Sequence, residues 1–176
     1  MTCIVGLVEN GKVYVGGDSL SGSAYVGRVT TLHKVFRKGG FVIGYTSSFR
    51  MGQLLEHVVE FPESDVYDMH YMVSVFIEEC RKVFKDHGYT TINDNQETGG
   101  SFLVAVSGQL FRVDNDFQVN QYHDGMFALG CGEDYALGAL YGSCGQDPQK
   151  RIAGALEAAA YFSPLVGPPF VILEAE

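Results

Sequence analysis

Apolar positions along this chain come in short runs separated by turn residues, and that punctuation defines most of the elements. Residues 3–8 (CIVGLV) form an apolar run, Glu9-Asn10-Gly11-Lys12 carries turn chemistry, and VYVGGD follows. Asn-Gly between two strand-like runs is a strong hairpin signal. The chain therefore opens in a β-hairpin with Thr2 at the start of its first strand. Residues 19–31, rich in Ser, Gly and Thr, are expected to form a surface loop. KVFRKGGFVIGYT predicts a second hairpin turning at Lys38-Gly39-Gly40, and SFLVAVSGQLFRVDNDFQV a third turning near Ser107-Gly108-Gln109. The polar stretch 89–99 between them is expected to be a loop.

Helical spacing appears in two pairs of segments. Ser47-Ser48 can cap a helix through FRMGQLLEHVVEF, closed by Pro62, and a longer helix is expected over 66–86 with Gly88 as its stop. After a short buried strand, FALGCG, come two more helices, EDYALGALYG and PQKRIAGALEAAAYF, and then a last strand in PFVILE. Strands that arrive as hairpins imply antiparallel sheets. The expected class is α+β, with two helix pairs covering two antiparallel sheets in a four-layer αββα sandwich. With no internal repeat or linker, residues 1–176 are expected to form a single domain.

Composition and charge narrow the function. The 176 residues are 46% hydrophobic and 19% charged, as in a globular chain with one sizeable core. A net charge of −9 disfavours a phosphate backbone, so nucleic acid is not an expected partner. Cys3, Cys80, Cys131 and Cys144 form no C-x-x-C pair, and the five histidines have no ligand spacing, so neither a metal nor another cofactor is expected. Four unclustered thiols suit a reducing compartment. There is no signal-peptide pattern and no apolar run long enough to cross a membrane. The expectation is a soluble, cytoplasmic protein. No nucleotide-binding P-loop motif occurs, so any ATP-dependent unfolding would have to come from another chain.

The chemistry begins at Thr2. Removal of Met1 by methionine aminopeptidase would leave threonine with a free α-amine beside its hydroxyl. The amine's ordinary pKa, about 7.7–8.0, lets it act as general base for that hydroxyl, directly or through a water. Antiparallel pairing folds Asp18, after Gly16-Gly17, back toward Thr2, and Lys34 lies at the start of another strand. A buried ammonium there would favour the neutral amine, with Asp18 keeping the lysine charged. A plainer reading has Asp18 capping a turn and Lys34 as a solvated edge charge. Cys131, between Gly130 and Gly132, reads most simply as a buried small residue in a tight turn.

The segment TCIVGLVENGKVYVGGDS resembles the mature N-terminus of proteasome β subunits and the HslV peptidases, a family of N-terminal nucleophile hydrolases. Asp18 and Lys34 lie sixteen and thirty-two positions after Thr2, in register with that family's Thr, Asp and Lys. The resemblance continues through VIGYTSSFRMGQLLE and ALGCGEDYALGALYG. It implies a threonine peptidase with Thr2 as nucleophile and base, tuned by Asp18 and Lys34. It implies that the Ser47 N–H is an oxyanion donor where the family usually has glycine, and that Ser19, Leu20, Ser21 and Gly22 are the edge pairing with substrate backbone. Gly130, Cys131 and Gly132 resemble the family's G-S-G, with a thiol replacing the serine. The family's later D-x-x-S has no counterpart; Ser163 and Val166 stand there. The implied partners are a peptide or protein substrate, further copies in a homo-oligomeric ring, and a separate ATP-dependent unfoldase. The departures leave one alternative, a catalytically weak or inactive ring-forming scaffold or binding subunit; because the fold hosts several chemistries, an amidase acting on a small non-peptide substrate is another.

Exposure of the nucleophile is expected to rely on the aminopeptidase. Intact-mass analysis of the purified chain should therefore find Met1 absent, and a retained methionine would leave Thr2 without its amine.

Overall fold

The computed structural model describes residues 2–22 and 26–175. β1 (Cys3–Glu9) and β2 (Lys12–Gly17) pair antiparallel, with Glu9 opposite Lys12. The two residues between them, Asn10 and Gly11, both have left-handed backbone (φ 52° and 76°), as a type I′ turn requires. β12 (Met126–Gly130) pairs with β1 and β13 (Val171–Ala175) with β2, giving the sheet order β12-β1-β2-β13. A second sheet contains β5 (Val35–Lys38), β6 (Phe41–Tyr45), β9 (Phe102–Val106), β10 (Gln109–Val113) and β11 (Val119–Asn120), in the order β11-β10-β9-β6-β5. Among the described residues every pairing in both sheets is antiparallel.

Two segments expected to be loops are short hairpins. β3 (Leu20–Gly22) pairs with β4 (Gly27–Val29), and β7 (Thr91–Asn93) pairs with β8 (Gln96–Thr98). The second turns through Asp94 and Asn95, both left-handed (φ 50° and 66°). Their polarity concealed them: strands with few apolar side chains carry no alternation to detect, although Asp and Asn are among the residues that tolerate this turn.

α1 (Phe49–His57) starts where expected, with the Ser48 side chain accepting the Arg50 N–H. The longer helix begins at Met69 and not at 66, because Asp68 caps it by accepting the Tyr71 N–H at 2.9 Å. It runs as α2 (Met69–Tyr71), a π-helical stretch (Met72–Phe76) and α3 (Ile77–Asp86). α4 (Glu133–Gly142) and α5 (Pro148–Phe162) follow β12, and Asp147 caps α5 with Pro148 in its first turn.

Three apolar clusters join these elements. One places Met51, Leu54, Phe76, Cys80 and Phe84 of the first helices against Ile43, Val104 and Phe111 of the second sheet. Another places Leu140, Ile152, Leu156 and Ala159 of α4 and α5 against Cys3, Val5 and Leu7. The third draws from both sheets, with Ile4, Val13 and Val15 meeting Val42, Leu103 and Leu110. The structure is thus a mixed α/β fold on antiparallel sheets. No described helix is long and apolar enough to cross a membrane.

Several buried acids sharpen its pH response. Burial, then the nearby Asp18 and Cys131, pushes the Cys3 thiol from its ordinary 9.0 up to about 12. Burial likewise pushes the phenols of Tyr45 and Tyr71 from 10.0 up to about 12. These groups remain neutral in the folded chain where the unfolded chain has already lost its protons. Their stabilisation is complete below about pH 9 and falls between about pH 9 and 12. The urea midpoint should be lower at pH 10.5 than at pH 8; an unchanged or higher midpoint would contradict these placements.

Candidate active site

Asp18 directly follows β2, and the Ile4–Gly17 pairing sets it beside Cys3. Its Oδ1 accepts the Cys3 N–H at 3.0 Å, while its own N–H donates to the Cys3 carbonyl at 3.2 Å. Lys34, just before β5, donates from Nζ to Asp18 Oδ1 at 2.8 Å and to the Leu20 carbonyl at 2.7 Å. The other oxygen, Oδ2, accepts the N–H groups of Leu20 (3.1 Å) and Gly167 (3.3 Å). The side chains of Lys34 and Asp18 are 1% and 0% exposed. The solvated-edge reading of Lys34 is therefore wrong: the lysine is sealed inside. Two charges survive there because each meets its opposite and because backbone donors fill the remaining carboxylate positions.

This pair acts on Thr2 through the backbone. The Cys3 N–H held by Asp18 belongs to the peptide joining Thr2 to Cys3, so the carboxylate fixes where Thr2 sits. Thr2 is itself buried. On its other side the Thr2 N–H donates to Cys131 Sγ at 3.4 Å, and the thiol reaches the Thr2 carbonyl at 3.5 Å. Cys131 Sγ also lies 3.8 Å from the Oγ of buried Ser163. Cys131 is exposed, contrary to the expectation of a buried turn residue. Gly130 makes this approach feasible. It has φ +94°, and a Cβ there would run into the Thr2 carbonyl.

Thr2 opens onto a cleft of about 290 Å³ lined by Ser21, Gly22, Tyr45, Thr46, Ser47, Ser48 and Phe49. None of these side chains carries a charge; burial, with a smaller contribution from Glu56, keeps the Tyr45 phenol neutral. A larger cavity of about 630 Å³, lined by Lys38, Phe41, Glu60, Phe61 and Tyr67 among others, contains none of the site residues. Among the described residues no three His, Cys, Asp or Glu side chains gather to hold a metal ion.

The expected substrate edge is only half available. Ser21 and Gly22 line the cleft. Ser19, however, is buried, donates its N–H to the Gly167 carbonyl (3.1 Å) and accepts the Thr30 N–H (3.0 Å). The main chain of Leu20 is engaged by Asp18 and Lys34. Neither residue has backbone left for a bound strand. Gly132 is also away from the cleft, packed against Cys3 and Ala159. Val166 is buried among apolar side chains, whereas Ser163 reaches Cys131. The sequence did not reveal Tyr45, Thr46 and Phe49 as cleft walls, nor the Gly167 donor. The only hint of the last was a glycine offering an N–H just before two prolines that cannot.

The fold has close counterparts among solved structures. Thiobacillus denitrificans BPH, solved in complex with epoxomicin, matches over 99% of this chain and 98% of its own, with a TM-score of 0.80 at 20% identity. HslV from Trypanosoma brucei matches over 98% of both chains (TM-score 0.70, 16% identity). The Anbu complex of Pseudomonas aeruginosa, solved as a helical assembly, matches over 98% of this chain and 80% of its own (TM-score 0.70, 16% identity). No protein-family model matches the sequence, and no curated protein matches it either. The chain has the fold of HslV-like, proteasome-type N-terminal nucleophile proteins.

Replacing Lys34 with Met would strand the Asp18 carboxylate in the interior. This is expected to cost about 3–5 kcal/mol of folding stability, with part recovered in the Lys34→Met/Asp18→Asn double variant. Urea denaturation of the wild type, Lys34→Met and the double variant tests this; a loss below about 1 kcal/mol in the single variant would be incompatible with a sealed pair.

Proposed function

We propose that this chain is a threonine-type peptidase subunit of a proteasome-like assembly, working through Thr2 once Met1 is gone. The observation that carries the proposal is the convergence at Thr2 of an open cleft and the buried Asp18–Lys34 pair. In this reading Thr2 Oγ1 attacks the scissile carbonyl carbon as its proton passes to the α-amine. The tetrahedral oxyanion faces the Ser47 N–H and the N-terminus of α1, whose partial positive charge suits it. The C–N bond then breaks, and the leaving amine takes the proton. Water next attacks the Thr2 ester, restoring the hydroxyl and releasing the acid. The Lys34 ammonium, paired with Asp18 at 2.8 Å, puts a positive charge near Thr2 that favours the neutral amine starting the cycle.

The uncharged cleft suits an uncharged side chain next to the scissile bond. Ser21 and Gly22, on the cleft side of β3, suit pairing with substrate backbone. The epoxomicin complex of Thiobacillus denitrificans BPH, a protein of the same fold, supports binding of a ligand of that kind by this chain. We further assign the chain to one four-layer αββα domain, an arrangement favoured by its three apolar clusters. The helical Anbu assembly favours oligomerisation here too, with a homo-oligomeric ring as the proposed form and an unfoldase supplied by a separate chain.

The second reading, a scaffold or binding subunit without peptidase activity, is favoured by one observation. Cys131, Ser163 and Val166 stand where the family places its Ser, Asp and Ser. A thiol is a weak hydrogen-bond partner, and valine is none.

Peptide-reporter turnover and labelling by a threonine-directed covalent probe separate the two readings. The Met1-free chain should turn over reporter and take up the probe, and Thr2→Ala should abolish both. Inactivity of a chain proven to carry a free N-terminal Thr2 would favour the scaffold.

A further inference from the structure

The turn that carries the Ser47 N–H has an unusual backbone for its residue type. Ser47 has φ +72°, a left-handed value, and the Ser48 N–H donates back to the Thr46 carbonyl at 2.9 Å. This is a γ-turn with positive φ at its centre, a strained form that glycine adopts far more readily than serine. Strain of this kind persists only where surrounding contacts over-determine it.

Those contacts come from one residue. Ser101, just before β9, accepts the Thr46 N–H at 3.1 Å through its carbonyl and donates its own N–H to Ser47 Oγ at 3.2 Å. Gly100 allows the close approach, since a Cβ there would lie 3.0 Å from the Ser47 Cβ and 2.7 Å from the Met51 sulfur. Among the described residues no acceptor takes the Ser47 N–H, and Ser47 lines the cleft beside Thr2.

We infer that the Ser47 hydroxyl is a positioning strut. Bonded to the Ser101 N–H, it holds the γ-turn in the shape that keeps its N–H directed to the substrate's oxyanion, and so replaces the conformational freedom that a glycine would have supplied. Ser47 acts through the backbone it braces, and its hydroxyl contacts no reacting atom. The inference rests on the acyl-transfer reading of Thr2.

Three variants test it by peptide-reporter kinetics on the Met1-free chain. Ser47→Ala removes the strut and keeps the strain; kcat should fall about tenfold or more with KM within about twofold, because the lost contact acts in the transition state. Ser47→Gly removes strut and strain together and should retain most of the wild-type kcat. Thr2→Ala sets the background. Equal losses in Ser47→Ala and Ser47→Gly would overturn the inference in favour of a direct chemical role for the hydroxyl. An unchanged Ser47→Ala would overturn it as well. Should Ser47→Ala fail to fold, Ser47→Gly still decides, because a tenfold loss there contradicts a purely conformational role. A wild-type rate no higher than Thr2→Ala would instead be the failure of the acyl-transfer reading.

Discussion

The buried ion pair of Asp18 and Lys34 is the constraint around which this molecule is organised. A carboxylate and an ammonium shut away from water survive only when every polar position is answered. Here the answers come from four separate parts of the chain: Cys3 in β1, Leu20 in β3, Lys34 ahead of β5, and Gly167 between α5 and β13. Each donor fixes the segment it belongs to. The first hairpin, the small β3–β4 hairpin, the edge of the second sheet and the last loop are tied at one point by charge as well as by apolar packing.

The same pair positions Thr2. Asp18 holds the peptide that follows Thr2, and Gly130 lets β12 close in behind it, so Thr2 is gripped from both sides. What remains open is the cleft side, where Ser47 and the start of α1 face it. Two demands coincide: the ion pair that must be satisfied for the chain to fold also holds the peptide that positions Thr2 at the cleft.

Much of this was legible in the sequence, for identifiable reasons. Asn10-Gly11, Gly39-Gly40 and Ser107-Gly108 lie between apolar runs, and each closes a hairpin. From the first of these alone, Asp18 could be folded back onto the start of β1. Ser48 announced α1 as a capping residue should. The burial of Lys34 was not legible, because a lysine beside a polar loop looks the same in sequence whether solvated or sealed. Nor was the engagement of Ser19 and Leu20, whose main chains are held by groups as distant as Gly167. The left-handed turn at Ser47 was equally hidden: serine does not advertise positive φ, and its brace, Ser101, lies more than fifty residues away, just before β9.

Gly167 carries a consequence for how the site comes into being. Its N–H completes the Asp18 carboxylate, and its carbonyl holds the Ser19 N–H. Ser163, four residues earlier, touches the thiol beside Thr2. The surroundings of Thr2 are thus completed by a segment 149 positions beyond Asp18. During translation the hydrogen bonds around the buried pair cannot be completed until the segment after α5 has left the ribosome. The surroundings of Thr2 depend on the arrival of that loop, and a molecule truncated before it would carry Thr2 without the contacts that Gly167 and Ser163 supply.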